Sequence, residues 1–231
     1  MPRSRIALAA VALGLLAAGC SGSSKPDSVN AGGTPSSSAS SAPSGPCAPA
    51  TATAKPQTFG SEPPLTVKSG TYVATITTNC GKIVANLDAT KAPHTVNSFA
   101  FLAGKQYFDG SPCHRLTTSG IYVLQCGDPT GQGTGGPGYT IPDENLAGAK
   151  YPAGTLAMAN TGQPHTGGSQ FFFCYADTPL PPQYTPFGTV TAGLDVLQAI
   201  AKNGEDDANG PGDGHPKSAV VILSFTVAKG S

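Results

Sequence analysis

The 231-residue chain has no tryptophan, only two methionines and few charges. Charged residues make up 11% of it, where about a quarter is usual in globular proteins. The 13 basic and 13 acidic side chains cancel, so no basic surplus is left to neutralise phosphates, which argues against a nucleic-acid partner. No apolar run reaches the roughly 20 residues of a membrane-spanning helix. His94, His165 and His215 are isolated and give no metal-ligand spacing. The glycine run "GQGTGGPG" (131–138) lacks the following Lys-Ser/Thr of a phosphate loop. The acidic stretch "NGEDDANGPGDG" (203–214) lacks the ordered ligands and closing glutamate of a calcium loop and is expected as a solvated loop. No metal and no cofactor is expected.

What the chain does hold is glycine and proline, 30 and 22 residues, which points to short strands, turns and a low-complexity segment. At the N-terminus "MPRSR" precedes the 14-residue apolar run "IALAAVALGLLAAG", the make-up of a secretory signal. The run ends in "LLAAGC", which resembles the lipobox of bacterial lipoproteins. That resemblance implies cleavage after residue 19, lipidation of Cys20 with thioether-linked diacylglycerol and an acyl chain such as palmitate, and stable anchoring by two or more chains. Loss of Arg3 and Arg5 would leave 11 basic and 13 acidic residues, a mature charge of −2. Residues 20–65 hold Ser, Ala, Pro, Gly and Thr with almost no large apolar side chains, so they are expected as a disordered tether. Such a tether reaches roughly 35–40 Å. The folded domain is expected over 66–231.

Within that domain the pattern is mostly β. "TYVATITT" (71–78) and "GKIVANLD" (81–88) flank a tight turn and predict a hairpin. "KAPHTVNSFAFLAGKQY" (91–107) predicts a helix starting at Pro93, with Val96, Phe99, Ala100 and Ala103 at helical spacing and a stop at Gly104. Short strands follow at 113–117, 121–126, 155–159, 170–175 and 186–190. A second helix is expected over 193–204, with Leu194, Leu197, Ile200 and Ala201 inward, and a closing strand over 218–227. Eight strands and two helices favour an antiparallel barrel or sandwich, in which the helices could cap the open ends of a barrel.

"GGSQFFF" (167–173) sets an amide against three consecutive rings. In a strand, alternate residues share a face. Phe171 and Phe173 then go to the core, and Gln170 and Phe172 face the other way, as a small-ligand pocket would need. A structural role for Gln170 and Phe172 fits this stretch equally well.

Three further stretches, "CHRL" (113–116), "YVLQCGDPTGQGTGG" (122–136) and "LAMANTG" (156–162), join "GGSQFFF" and "FGTV" (187–190) in an ordered series. Their order and spacing resemble the cyclophilins, a family of peptidyl-prolyl cis/trans isomerases with the patterns "FHR", "FMxQGGD", "GTGG", "LxMANxGxxxxGSQFF" and "FGxV". The resemblance covers about 71–228. It implies a mainly β fold, an eight-stranded antiparallel cyclophilin-like barrel capped by two helices.

It also implies an enzyme that rotates X-Pro imides without metal or nucleophile. The imide barrier of about 18–20 kcal/mol comes from C–N double-bond character. In the twisted transition state the nitrogen regains a lone pair, so a positioned donor lowers the barrier by differential binding. By resemblance Arg115 is that donor and Gln125 orients it. Phe172 floors the proline socket, Tyr122, Val123 and Leu180 wall it, and Ala159, Asn160 and Gln170 bind the peptide on the N-terminal side of the proline. Tyr184 stands where many members have histidine, and Pro179 where some have tryptophan, which implies weak cyclosporin binding. "LTTSGIYVL" (116–124) is about two residues longer than the family pattern, so counting forward from Gly120 gives Ile121 instead of Tyr122 as a wall residue. His114 is expected as a structural hydrogen-bonding histidine.

An extracytoplasmic location permits disulfides. Cys113 and Cys126, on the two arms of an expected hairpin, are one candidate pair. Cys47 and Cys80 are a second, and Cys174 would stay a buried thiol. The expected partners are X-Pro-containing polypeptides and, through lipidated Cys20, the outer face of the bacterial cell membrane. The expected state is monomeric. A tethered proline-peptide binding module or chaperone with little turnover is the alternative, should the 116–124 insertion misplace Arg115 relative to Gln125.

Overall fold

The computed structural model describes residues 46–230. The expected signal peptide 1–19, the expected lipidation of Cys20 and the expected tether up to residue 45 lie outside the described residues. Nine strands and two helices occur among the described residues. β1 (Thr71–Thr78) and β2 (Gly81–Asp88) form the expected hairpin, in register from Thr71↔Asp88 to Thr78↔Gly81. α1 (Pro93–Gly104) begins at the expected proline and ends at the expected glycine, with Lys105 as its C-cap. β3 (Arg115–Thr117), β4 (Val123–Cys126), β5 (Thr155–Met158), β6 (Phe171–Cys174) and β7 (Pro186–Ala192) follow. α2 (Leu194–Asn203), the two-residue β8 (Asp213–Gly214) and β9 (Ile222–Lys229) complete the domain.

The strands form one curled antiparallel sheet, a half-barrel, in the order β8-β3-β4-β6-β5-β7-β2-β1-β9. Cys113 N donates to Val220 O (2.9 Å) and Ile222 N to Ser111 O (2.9 Å), drawing the segment before β3 towards the start of β9. The expected count of eight strands omitted β8, which lies in the acidic segment read as a solvated loop.

The period-2 pattern fills the interior. Ala74, Ile76, Ile83, Ala85, Leu87, Phe171, Phe173, Phe187 and Phe225 are all buried in one core. α1 closes one side of it through Phe99, whose ring centroid lies 4.7 Å from Phe187, 5.4 Å from Phe171 and 6.0 Å from Phe225. Its first turn has no side-chain cap of its own. Instead Glu144 accepts from His94 N (3.0 Å) and Thr95 N (2.9 Å), satisfying two free donors at the positive end of the helix. On α2, Leu197 and Ile200 are buried, whereas Leu194 and Ala201 are only partly so.

Residues 46–65 depart from the expected tether. Cys47 is bonded to Cys80. Ala48 N donates to Asn79 O (2.9 Å), Thr53 N to Gly110 O (2.9 Å) and Phe59 N to Pro137 O (2.8 Å). The Phe59 ring meets Phe101 edge-on at 5.0 Å. Asn97 Oδ1 accepts from the main chain of Thr66 and Val67, 3.0 Å each. This strap contains few apolar side chains, but main-chain hydrogen bonds, one ring and a disulfide hold it. The folded unit therefore includes about 20 described residues before the expected boundary at 66.

Candidate functional site

Strand register assembles the site. Arg115 pairs with Gln125 across β3 and β4, Gln125 with Phe172 across β4 and β6, and Phe172 with Ala157 across β6 and β5. These residues form one row on the sheet face opposite the main core. Phe172 is 4% exposed and sits in a separate cluster with Val123, Tyr151, Ala157 and Cys174. Burial pushes the Cys174 thiol up to about 12, so it stays protonated beneath this floor.

Above the floor opens a pocket of about 330 Å³, lined among others by Arg115, Ile121, Val123, Gln125, Ala159, Asn160, Phe172, Leu180 and Tyr184. Tyr122 is not among the lining residues. Its ring packs edge-on against Tyr175 at 6.0 Å. Alternation along the chain explains this: residues 121, 123 and 125 share the groove face, and 122 must point away. The assignment of Tyr122 as a wall is therefore corrected to Ile121. The rim is fixed by Tyr151, whose hydroxyl donates to Tyr184 O (2.8 Å) and accepts from Tyr184 N (3.0 Å). The Tyr184 ring stands edge-on to Phe172 at 5.6 Å.

A hydrogen-bonded row crosses the groove. Asp213 takes the Arg115 side edge, Nε to Oδ1 at 2.8 Å and Nη2 to Oδ2 at 2.6 Å. Arg115 Nη1 donates to Gln125 Oε1 (3.3 Å) and Gln125 Nε2 to Gln170 Oε1 (2.9 Å). Gln170 Nε2 then donates to the carbonyls of Gly133 and Gly135, 2.9 Å each. Gln170 thus holds the glycine-rich loop and orients Gln125. It lies in a second hollow of about 610 Å³ that shares Gln125, Gly133, Ala159 and Asn160 with the first. The Asn160 side chain is engaged with Gln183 O (2.8 Å) and Gly162 N (3.0 Å), so what it offers a peptide is its main chain.

The loop itself is pinned by buried Asp128, which accepts from Thr130 N (2.7 Å) and Gly135 N (3.0 Å). Burial pushes that carboxyl up, but the hydrogen bonds from Thr130 and Gly135 outweigh it and hold it below its ordinary range. A Cβ on Gly135 would meet Asp128 Oδ1 at 2.0 Å, so only glycine fits there.

Cys113 and Cys126 are bonded to each other, bracketing Arg115 and Gln125. His114 does not match the expected hydrogen-bonding role: neither ring nitrogen finds a partner among the described residues. Burial pushes its imidazole down, which keeps it neutral. Sequence reasoning missed Asp213, Asn209, His215 and Tyr151, all at or behind the pocket. No local motif marks them, and Asp213 lies 98 positions from Arg115. Among the described residues no cluster of three or more His, Cys, Asp or Glu could hold a metal.

Fold and site together define a class: a curled antiparallel half-barrel carrying an open groove with an aromatic floor and a guanidinium–amide rim. Residues 73–227 match the family model described as cyclophilin type peptidyl-prolyl cis-trans isomerase/CLD. The chain belongs to the cyclophilin-type peptidyl-prolyl cis-trans isomerase family. It is 48% identical over 185 residues to the probable peptidyl-prolyl cis-trans isomerase B of Mycobacterium leprae, covering 74% of this chain and 61% of that protein. Identity to the Mycobacterium tuberculosis (strain H37Rv) protein of the same name is 50% over 161 residues, covering 64% of this chain and 51% of that one. The chain thus spans about half to three fifths of these relatives. A crystal structure of a Cryptosporidium parvum cyclophilin-type isomerase superposes with a TM-score of 0.61 at 27% identity, covering 70% of this chain and 99% of that one. The same protein solved in the presence of the dipeptide Ala-Pro gives a TM-score of 0.60 at 28% identity, covering 68% and 99%.

Proposed function

We propose that the protein is a peptidyl-prolyl cis/trans isomerase that speeds X-Pro rotation in secreted or surface proteins. The observation that carries this is the placement of the Arg115 guanidinium on the rim of a pocket floored by Phe172. The proline ring enters over Phe172, between Ile121, Val123, Leu180 and Tyr184. The main chain of Ala159 and Asn160 holds the residues before the proline. Arg115, oriented by Gln125, donates to the imide nitrogen as it loses conjugation, a bond that strengthens only as the amide twists. No proton moves and no covalent bond forms, so the neutral His114 needs no acid–base role.

The binding-module alternative required the 116–124 insertion to part Arg115 from Gln125. The register Arg115↔Gln125 and the 3.3 Å contact between them remove that reason. A protease-coupled assay on an Ala-Pro peptide tests the proposal: purified protein should raise the rate well above the thermal one. Peptide binding without acceleration would return the argument to a binding module.

The N-terminal reading completes the proposal: a lipoprotein, monomeric, held at the outer face of the cell membrane by lipidated Cys20. Support comes from "LLAAGC" and from two disulfides in the domain, which suit an oxidising compartment. Globomycin, which blocks lipoprotein signal cleavage, should make the precursor accumulate. An unchanged processing pattern would refute the anchor.

A further inference from the structure

We infer that Asp213 is a positioning residue of this site: it holds the Arg115 guanidinium side-on, so that the end-on edge is what a peptide meets. The inference rests on the isomerase proposal and deepens it. A guanidinium carries five N–H donors. Nε donates to both Asp213 oxygens (2.8 and 3.1 Å), Nη2 to Oδ2 (2.6 Å) and Nη1 to Gln125 Oε1 (3.3 Å). That occupies one N–H on each of the three nitrogens. One donor on each terminal nitrogen remains, beside the pocket.

The carboxylate is placed by the fold. β8 pairs with β3 through Thr117↔Asp213 and Leu116↔Gly214, which makes Asp213 the diagonal neighbour of Arg115 on the same face. Asn209 Nδ2 donates to Asp213 Oδ1 (3.1 Å), and Gly212 N to Asp207 Oδ1 (2.7 Å). A Cβ at Gly214 would meet Asp206 Oδ1 at 2.2 Å, and Gly212 has φ +78°. These hydrogen bonds and glycines support the turn that carries Asp213, and the pair's side chains are only 34% and 26% exposed.

Two consequences follow for catalysis. The long arginine side chain is ordered before the peptide arrives, so binding does not have to freeze it. The ion pair also offsets the formal charge of Arg115, the one lysine or arginine lining the pocket among the described residues. A bare guanidinium would grip any carboxylate in the ground state. A paired one is left as a donor fork suited to a neutral nitrogen lone pair, which exists only in the twisted imide.

The test compares wild type, Asp213→Ala, Arg115→Ala and the double variant, using NMR exchange on an Ala-Pro peptide. Thermal unfolding checks that each folds, and Asp213→Asn takes the place of Asp213→Ala if that variant fails to fold. The expected result is a loss of about tenfold or more in kcat/KM for Asp213→Ala, carried mainly by kcat. That loss should shrink to less than about twofold in the Arg115→Ala background. Asp213→Glu should recover part of the rate. An unchanged or faster Asp213→Ala enzyme would overturn the inference, because the carboxylate would then compete with substrate. The same loss with and without Arg115 would also overturn it, as an effect on the fold alone.

A readout without turnover separates the two claims. The Arg115 Nε–H signal should exchange slowly with solvent in wild type and quickly in Asp213→Ala. If wild type does not accelerate the peptide, the isomerase proposal fails, and this signal alone decides whether Asp213 positions Arg115.

Discussion

The strap that replaces the expected tether makes a quantitative prediction. Cys47 and Cys80 are 33 residues apart in sequence and bonded. Closing a 33-residue loop in the unfolded chain removes entropy equivalent to roughly 3.7 kcal/mol at 25 °C. Replacing both cysteines, Cys47→Ser with Cys80→Ser, should lower stability by about 3–4 kcal/mol. With a urea slope of about 2 kcal/mol per molar, the unfolding midpoint should fall by about 1.5–2 M. The shorter Cys113–Cys126 loop, 13 residues, is worth roughly 3 kcal/mol by the same relation. Removing the first bridge should therefore cost at least as much as removing the second, although only the second lies at the site. Urea titration followed by far-ultraviolet circular dichroism reads both. A midpoint shift below about 0.5 M for the Cys47→Ser/Cys80→Ser chain would refute the claim that residues 46–65 belong to the folded unit.

Three further predictions concern the groove and its surroundings. Ile121→Ser should weaken binding of an Ala-Pro peptide several-fold, and Tyr122→Ser should leave it unchanged; an NMR titration that found the reverse would restore Tyr122 as the wall. Burial pushes the His114 imidazole below its ordinary 6.5, so the unfolded chain binds the extra proton first as pH falls. Its contribution is complete above 6.5 and declines below it, by at most about 1.4 kcal/mol per pH unit. Urea midpoints between pH 7.5 and 5.5 should drop less in His114→Gln than in wild type, and equal drops would contradict the burial argument. Cyclosporin should inhibit weakly, since Pro179 stands where some family members have tryptophan, and nanomolar inhibition would refute that.

Local pattern carried most of the fold. The bounds of β1 and β2 and the start of α1 follow from alternation, a tight turn and a proline, all of which act within a few residues. "GGSQFFF" was legible in part for the same reason: period two separates Phe171 and Phe173 from Phe172, while the groove role of Phe172 comes only from the family resemblance. What stayed hidden depends on contacts between distant segments. Phe59 is one ring in a Pro/Gly/Ser-rich stretch, and its partner Phe101 lies 42 positions on. Asp213 reads locally as part of an acidic turn, and only the pairing of β8 with β3 makes it a neighbour of Arg115. The choice between Ile121 and Tyr122 turned on where alternation resumes after Gly120, at φ +74°, which the letters alone leave open. His114 reads in the sequence as a structural hydrogen-bonding histidine, and nothing local shows that its ring is buried without a partner among the described residues.

The central claim is that Arg115 lowers the X-Pro barrier from the rim of the Phe172 pocket. The direct measurement is kcat/KM on an Ala-Pro peptide for wild type and Arg115→Ala at equal folded concentration. The account predicts clear acceleration by wild type and a fall of about 10² or more in the variant, equivalent to about 2.7 kcal/mol of transition-state binding. Equal rates for the two proteins would contradict it.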